Sequence, residues 1–459
     1  MSNQKGKQTA QIINKIFDQM IKAVNDTGEE KQKNIILFVG KIQDFTYSSI
    51  EAYNKSSEKK YRIGLIYDSK SKFDLSGQKI FDSIEIKIPC DINNPSSIQK
   101  ALLPYQDELL AITCRGEDKI PTFSKIIPHV PYLNTPSSKS LEWASDKIMM
   151  RERLRIHNKN ITPAFTIIKD YKNSSIKKIE DEVGFPIVVK PSGLAASRLV
   201  SICFHKEELE QILKKIFKKI DSVYKENNFT GEPQVLVEKF MDGEMYSIDG
   251  YVNRRGIINF CPMVHIKTGR SIGFDDFFGY QQITPTLLGK EKIINAEFVA
   301  QEAVHALALR NTTVHVEMIK TESGWKIIEL AARAGGFRHQ MYKYSYDIDH
   351  TLNDIYIHIP EKTIIPKKVL GYTVAMKFFA KQEGTLTKLT GIKKIQLLSS
   401  FKEISVNKNI GDMCLYAKNG GNSVFNLIMF NKERSKLLAD IRRVEQTIEI
   451  ETSKNGNTK

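Results

Sequence analysis

The stretch TTVHVEMIKTESGWKIIELAARAGGFRHQ, Thr312 to Gln340, decides how the rest of the chain is read. Val314, Val316 and Met318 alternate with His315, Glu317 and Ile319, the period-two pattern of a strand. Trp325 to Leu330 reads as a second strand. Glu322-Ser323-Gly324 between them suits a three-residue hairpin loop, which favours glycine at its last, left-handed position. That loop sets Thr321 opposite Trp325 and Glu317 opposite Glu329. Facing side chains on such a pair lie roughly 5 Å apart at Cβ, where like charges repel. The two carboxylates are therefore costly unless a cation lies between them. Oxygen ligands that leave room for water and phosphate suit Mg²⁺. Arg333 follows, then Gly335 and Gly336, where backbone can approach a phosphate closely. An edge hairpin with two solvated glutamates is the plainer alternative.

At 459 residues the chain exceeds one ordinary core, and about two to four domains are expected. A hydrophobic fraction of 41% and a charged fraction of 26% belong to a soluble globular class. No apolar run approaches the ~20 residues that span a bilayer, and the N-terminus lacks the apolar segment of a signal peptide. Cys90, Cys114, Cys203, Cys261 and Cys414 are scattered without a CxxC, so neither disulfides nor a zinc site is expected and a cytoplasmic location fits. The net charge of +15 invites a nucleic-acid reading. Its lysines, however, are interleaved with acids, as in KEELEQILKKIFKKIDSVYKE, and no aromatic-basic repeat appears. Neither a nucleic-acid nor a membrane partner is expected, and the positive field suits anionic small molecules.

Residues 1–33 read as a helical extension, with Ile12, Ile13, Ile16, Phe17 and Met20 at helical spacing. From Asn34 the runs NIILFVG, YRIGLIYDS, SIEIKIP and ELLAITCR alternate with helical stretches, which implies a parallel α/β domain over 34–140. No GxGxxG follows the first strand, so a dinucleotide fingerprint is absent. Thr135-Pro136 opens a helix as cap and proline. Ser145 caps the next one, SDKIMMRERLRIHNKN, which puts Lys147 in its first turn. A cation at the positive helix end is unfavourable, and Asp146 offsets it only in part. The arrangement makes sense where an anion visits; an exposed lysine is the plainer reading.

VGFPIVVKPS is a strand ending in Lys190, followed by the small-residue loop Ser192–Arg198, with Gly193 and Ser197, which suits a phosphate cover. In QVLVEKFMDGEMYSIDGYV, strand Val235–Val237 leads to Glu238-Lys239-Phe240, a turn at Asp242-Gly243, Glu244 and an alternating strand. Such a linker strand can read an adenine edge and ribose hydroxyls; an ordinary hairpin with exposed acids is the alternative. Residues 361–451 read as a small β-rich domain, with GYTVAMKFFA and SVFNLIMF as strands and Asn419-Gly420-Gly421 as a turn. Residues 452–459 read as a disordered tail.

Taken in order, DK before a helix, VVKPS, a small-residue loop, VEKFMDGEMYSIDG, HVEM and IIELAARAGG resemble the ATP-grasp superfamily. Within it they resemble the carboxylate–amine ligases that include the L-amino-acid ligases. The resemblance covers about residues 34 to 450. It implies an ATP-grasp fold, α/β and α+β in class, over 141–360 with a lid at about 161–248, an N-terminal parallel domain and a small C-terminal β-rich domain. Lys147 and Lys190 would contact the phosphates of ATP, with Lys190 also near the adenine, and Ser192 to Arg198 would close over the phosphates. Glu238 and the Phe240 backbone would meet the adenine, with Lys239 nearby, and Glu244 would hold the ribose. Glu317 and Glu329 would bind one or two Mg²⁺, with Mn²⁺ as a substitute. Arg333, Gly335 and Gly336 would lie at the transferred phosphate and the substrate carboxylate. His265 is a candidate to assist at the acyl centre, a structural histidine being the alternative. Many relatives carry Glu-x-Asn at the second metal strand; position 331 here is alanine.

The activity implied is ATP-dependent joining of a small-molecule carboxylate to an amine through an acyl-phosphate. A biotin-carboxylase-like bicarbonate-activating subunit and a non-catalytic ATP-binding module are the alternatives. Proteins of this group commonly form homodimers, and the sequence itself does not decide between monomer and dimer.

Overall fold

The computed structural model describes residues 32–71, 75–192, 199–226 and 234–453. The expected helical extension, save its last two residues, therefore lies outside the described residues, as do Gly193 and Ser197.

The four apolar runs after Asn34 become the strands β1 (Ile35–Val39), β2 (Arg62–Asp68), β3 (Ile86–Cys90) and β4 (Leu109–Thr113). They form a parallel sheet in the order β3-β2-β1-β4. β1 is buried along its length because its alternate residues feed two cores: Ile35, Leu37 and Val39 one, Ile36 and Phe38 the other. The order reverses between β1 and β4, and the crevice at such a switch point, outside the carboxyl ends of the strands, is where open α/β sheets take ligands. The segment after β4, which carries Arg115 and Glu117, lies at that crevice.

A second sheet holds β5 (Phe165–Ile168), β6 (Ile187–Pro191), β7 (Ser201–Cys203) and β8 (Val235–Lys239), antiparallel in the order β5-β8-β6-β7. Apolar residues at helical spacing, Ile176 and Ile179 from one helix and Leu209, Leu213, Ile216 and Ile220 from another, close its core.

The largest sheet has nine strands. Along the chain come β9 (Glu244–Val252), β10 (Ile258–Phe260), β11 (Val264–Thr268), β12 (Gly279–Thr284), β13 (Thr312–Thr321), β14 (Gly324–Ala331) and β15 (Tyr372–Phe378). Then follow β16 (Gly384–Thr390), β17 (Phe401–Val406), β18 (Met413–Cys414), β19 (Phe425–Asn431) and β20 (Glu449–Ser453). The sheet runs β14-β13-β9-β11-β12-β15-β19-β17, with β10 on β9, and β18-β16-β20 form a small sheet of their own. β15, β19 and β17, from the region expected to stand as a separate β-rich domain, thus extend the central sheet. β20 reaches Ser453, so the first two residues of the expected tail are strand.

Two helix caps differ from the sequence reading. Ser137, not Thr135, caps Ser138–Ser145, its hydroxyl accepting from the Ser140 N–H at 3.0 Å. Asp146, not Ser145, caps Lys147–Asn158, its carboxylate accepting from the N–H groups of Ile148 and Met149. A carboxylate there satisfies two orphan donors and also sets a negative charge against the positive helix end.

Candidate active site

Glu317 does face Glu329, but by a different route from the one the sequence suggested. The loop holds two residues, not three: Thr321 pairs with Gly324 and Lys320 with Trp325. Gly324 takes φ +105, which a side chain would resist. In this register Trp325 and Ile327 join Met318 and Val316 in the core. Simple alternation would send Glu329 the same way. The register shifts between Glu317 and Met318, so that Ile328 is the extra residue of a β-bulge on β14, and Glu329 turns to the face of Glu317.

β14 is the edge of the sheet, and side chains of the helix Lys147–Asn158 reach that edge. Arg151, buried, donates from one Nη to the Ile327 carbonyl at 2.9 Å and from the other to the Ile328 carbonyl at 2.6 Å. It thereby satisfies the backbone that the bulge leaves unpaired. Its Nε meets Glu238 at 2.5 Å, and Lys190 meets the other oxygen of Glu238 at 2.6 Å. Burial raises the Glu238 carboxyl, but the two cations outweigh it and bring it down to about 2. One turn before Arg151, Lys147 Nζ lies 2.9 Å from Glu329. The anion at this helix end is thus supplied by the protein's own β14.

Glu317 has a separate partner. His315 Nε2 lies 3.4 Å from it, while His315 Nδ1 is 2.7 Å from Asp249. Burial raises the Glu317 carboxyl, but His315, Arg338 and Arg333 bring it down to about 2. Asp249 is fully buried and also takes a hydrogen bond from His350 at 3.0 Å and from the Gly335 N–H at 2.8 Å. A side chain at position 335 would strike His315 at 2.4 Å, which explains the glycine. The Gly335 N–H is engaged by Asp249, while a Cβ at Gly336 would meet nothing within 4 Å. Arg333 forms an ion pair with Glu117 of the β4 crevice and donates to the Ala334 carbonyl at 2.8 Å. The glycine loop and the switch point of the parallel sheet therefore meet at Arg333.

Other expectations fare differently. His265 pairs with Tyr246, which pairs with Met318, whereas Glu317 pairs with Ser247. Cross-strand partners share a face, so His265 leaves the sheet on the side away from Glu317, and its expected role at the acyl centre is corrected. Glu238 has both oxygens engaged within the protein and is 2% exposed, so its carboxylate does not serve an adenine. The Phe240 N–H donates to the Pro186 carbonyl at 2.9 Å, and Lys239 Nζ to the Phe185 carbonyl at 2.6 Å, so these groups too are used internally. Glu244 is exposed beside Lys320, 3.8 Å away. Gly243 before it is required, since a Cβ there would lie 2.2 Å from the Lys320 carbonyl oxygen. Ser192 is buried, its N–H donating to the Gln234 carbonyl at 2.9 Å. The sequence reading missed Arg151, Asp249, His315 and Glu117. For the first, the signal was present: an arginine four residues after Lys147 shares its helix face.

A groove lined by Asn134, Tyr251, Arg254, Arg255 and Lys362 lies beyond the far end of β9 and contains none of these groups.

Among the described residues no three His, Cys, Asp or Glu side chains gather to hold a metal. What the hairpin offers is two facing carboxylates with side chains 31% and 36% exposed. That donor set fits Mg²⁺, which is commonly held by one or two carboxylates and completes its shell with water and phosphate.

Residues 183–340 match the family model described as the ATP-grasp domain. The chain is 25% identical over 308 residues to the protein y4rH of Sinorhizobium fredii, covering 65% of this chain and 59% of that one. It is 31% identical over 192 residues to the alanine–anticapsin ligase of Bacillus subtilis, covering 37% of this chain and 39% of that one. The chain thus spans less than two thirds of the length of both. The structure is similar to that of an L-amino acid ligase from Bacillus licheniformis, with a TM-score of 0.73 at 16% identity, over 92% of this chain and 100% of the other.

Proposed function

From a chain that carries an ATP-grasp domain on an ATP-grasp fold, we propose an ATP-dependent ligase that joins a carboxylate to an amine. The observation that carries this is the facing pair Glu317 and Glu329, with Lys147 on one and the Arg333 loop beyond. A carboxylate is a poor acyl donor because oxide would have to leave. Transfer of the γ-phosphoryl group to a carboxylate oxygen releases ADP and makes an acyl-phosphate. The amine nitrogen then attacks the acyl carbon, the C–O bond to phosphate breaks, and the nitrogen gives up a proton.

In this reading Glu317 and Glu329 hold Mg²⁺, which supplies neutralisation of charge on the phosphates. Lys147 leaves Glu329 for a phosphate oxygen, and Lys190 reaches the nucleotide from its brace on Glu238. Arg333 exchanges Glu117 for the substrate carboxylate, which a guanidinium can grip by two parallel hydrogen bonds. Asp249 holds His315 and the Gly335 backbone so that Glu317 and the loop keep their places. The likeness to the alanine–anticapsin ligase supports amino-acid-like substrates. The test is ADP release over a panel of acid–amine pairs, using ¹⁸O-labelled carboxylate. Label should appear in the released phosphate. Amide product formed with no label in phosphate would remove the acyl-phosphate.

A further inference from the structure

Around Glu317 and Glu329 the described cations are matched by protein groups, with one exception. Lys147 is on Glu329, Lys190 and Arg151 on Glu238, and Arg333 on Glu117. Arg338 is held by Gln282 at 2.8 Å, Ser247 at 2.7 Å and the Gly336 carbonyl at 3.0 Å. Lys377 has neither a hydrogen bond nor an ion pair among the described residues; its ammonium lies 5.5 Å from the centre of the Phe337 ring.

The sheet aims this side chain. β15 pairs with β12, setting Ala375 opposite Gln282, and Ala375 packs with Met341 and Tyr342 of the helix Arg338–Tyr346. Lys377 is two residues further along the same face of the strand. It emerges where Phe337, at φ +62, turns the glycine loop into that helix. Burial lowers the ammonium's pKa from the ordinary lysine value, Glu317 pulls it up, and Arg338 and Arg333 push it down. The charges of the site therefore reach it. Its direction of approach is its own: Lys147 and Lys190 come from the β14 edge and the small antiparallel sheet, while β15 is the fourth strand along from β13.

A half-buried ammonium without a protein anion calls for one from outside. On the ligase reading, on which this inference rests, Lys147 and Lys190 take the phosphates and Arg333 takes the carboxylate to be activated. We infer that Lys377 anchors a second carboxylate, carried by the amine substrate, so that the acceptor is an anionic amine such as an amino acid. A charge-assisted hydrogen bond from Lys377 would hold that carboxylate and leave the amine free to reach the acyl carbon.

The experiment compares wild type, Lys377→Met and Lys377→Arg, with L-amino acids and their uncharged amides as acceptors. ADP release and product are followed under saturating ATP and Mg²⁺. Lys377→Met should raise KM for amino acids roughly 10- to 100-fold, the worth of one hydrogen bond to a charged group. It should leave the amides and the KM for ATP unchanged, and Lys377→Arg should recover most of the loss. Equal losses with both acceptors, a raised KM for ATP, no loss at all, or a wild type that prefers amides would each overturn the inference. A turnover-free arm separates it from the ligase reading. Acetylation of Lys377 by acetic anhydride, read by mass spectrometry relative to exposed lysines of the same sample because both added amines consume reagent, should be slowed by an amino acid and not by its amide. Absence of ADP release with every pair counts against the ligase reading; unprotected Lys377 counts against its role as a carboxylate anchor.

Discussion

Arg151 and Lys147 sit one turn apart on one helix, and each binds a glutamate from another element, yet the two pairs are built differently. The side chains of Arg151 and Glu238 are 1% and 3% exposed, and both are fully engaged. Those of Lys147 and Glu329 are 20% and 36% exposed and share a single contact. Breaking a buried pair strands a charge and costs about 3–5 kcal/mol, whereas an exposed pair contributes about 0–1 kcal/mol. The first pair is a brace that fixes the β14 bulge against the smaller antiparallel sheet. On the proposed reading the second is a placeholder, cheap to open, whose members would exchange each other for a phosphate and a metal.

The largest effect is expected at the brace. Arg151→Met should lower stability by about 3–5 kcal/mol, read as a fall in melting midpoint. Glu238 adds a pH signature. Its folded pKa, about 2, lies below the ordinary 4.5, so its stabilisation is present above about pH 4.5 and fades as pH falls toward 2. Glu238→Gln should remove that share of the acid-side loss; an unchanged acid profile would show that the pair is not a brace.

Asp249 resembles the brace more than the placeholder. It is buried, and His315 and His350 outweigh burial to hold its carboxyl far below the usual range. Asp249→Asn should cost about 2–3 kcal/mol, the scale of a hydrogen bond to a charged group, and should lower turnover by loosening the Gly335 loop. A variant that melts early but turns over normally would detach the loop from the mechanism.

Lys147→Met should hardly move the melting midpoint, by at most about 1 kcal/mol, yet weaken ATP binding measured by calorimetry. Unchanged ATP affinity would make Lys147 a permanent partner of Glu329 and end the contrast between the two pairs.

These differences track what could be read from the sequence. Runs such as NIILFVG and the HVEM hairpin were legible because burial and alternation act locally. The pairing of Glu317 with Glu329 was anticipated through a loop one residue too long. A bulge at Ile328 restored it, and the bulge depends on Arg151, which is distant in sequence from β14. His265 was misplaced for the same reason: its face is set by register with β9, which a lone strand does not display. Lys377 and Glu117 belong to no motif and reach the site only through sheet order and the switch point.

The smallest effect on the fold should accompany the largest on turnover, at Glu329. The sequence alone suggested that neutralising it would relieve repulsion. With Lys147 on Glu329 and His315 beside Glu317, the change instead removes a partner from Lys147, at a cost of at most about 1 kcal/mol. The direct test is Glu329→Gln, assayed for ADP release across Mg²⁺ concentrations alongside its apo melting midpoint. The metal-site account predicts a loss of at least roughly 100-fold at every Mg²⁺ concentration, with the midpoint almost unmoved. Activity within a few-fold of wild type at low Mg²⁺ would contradict it.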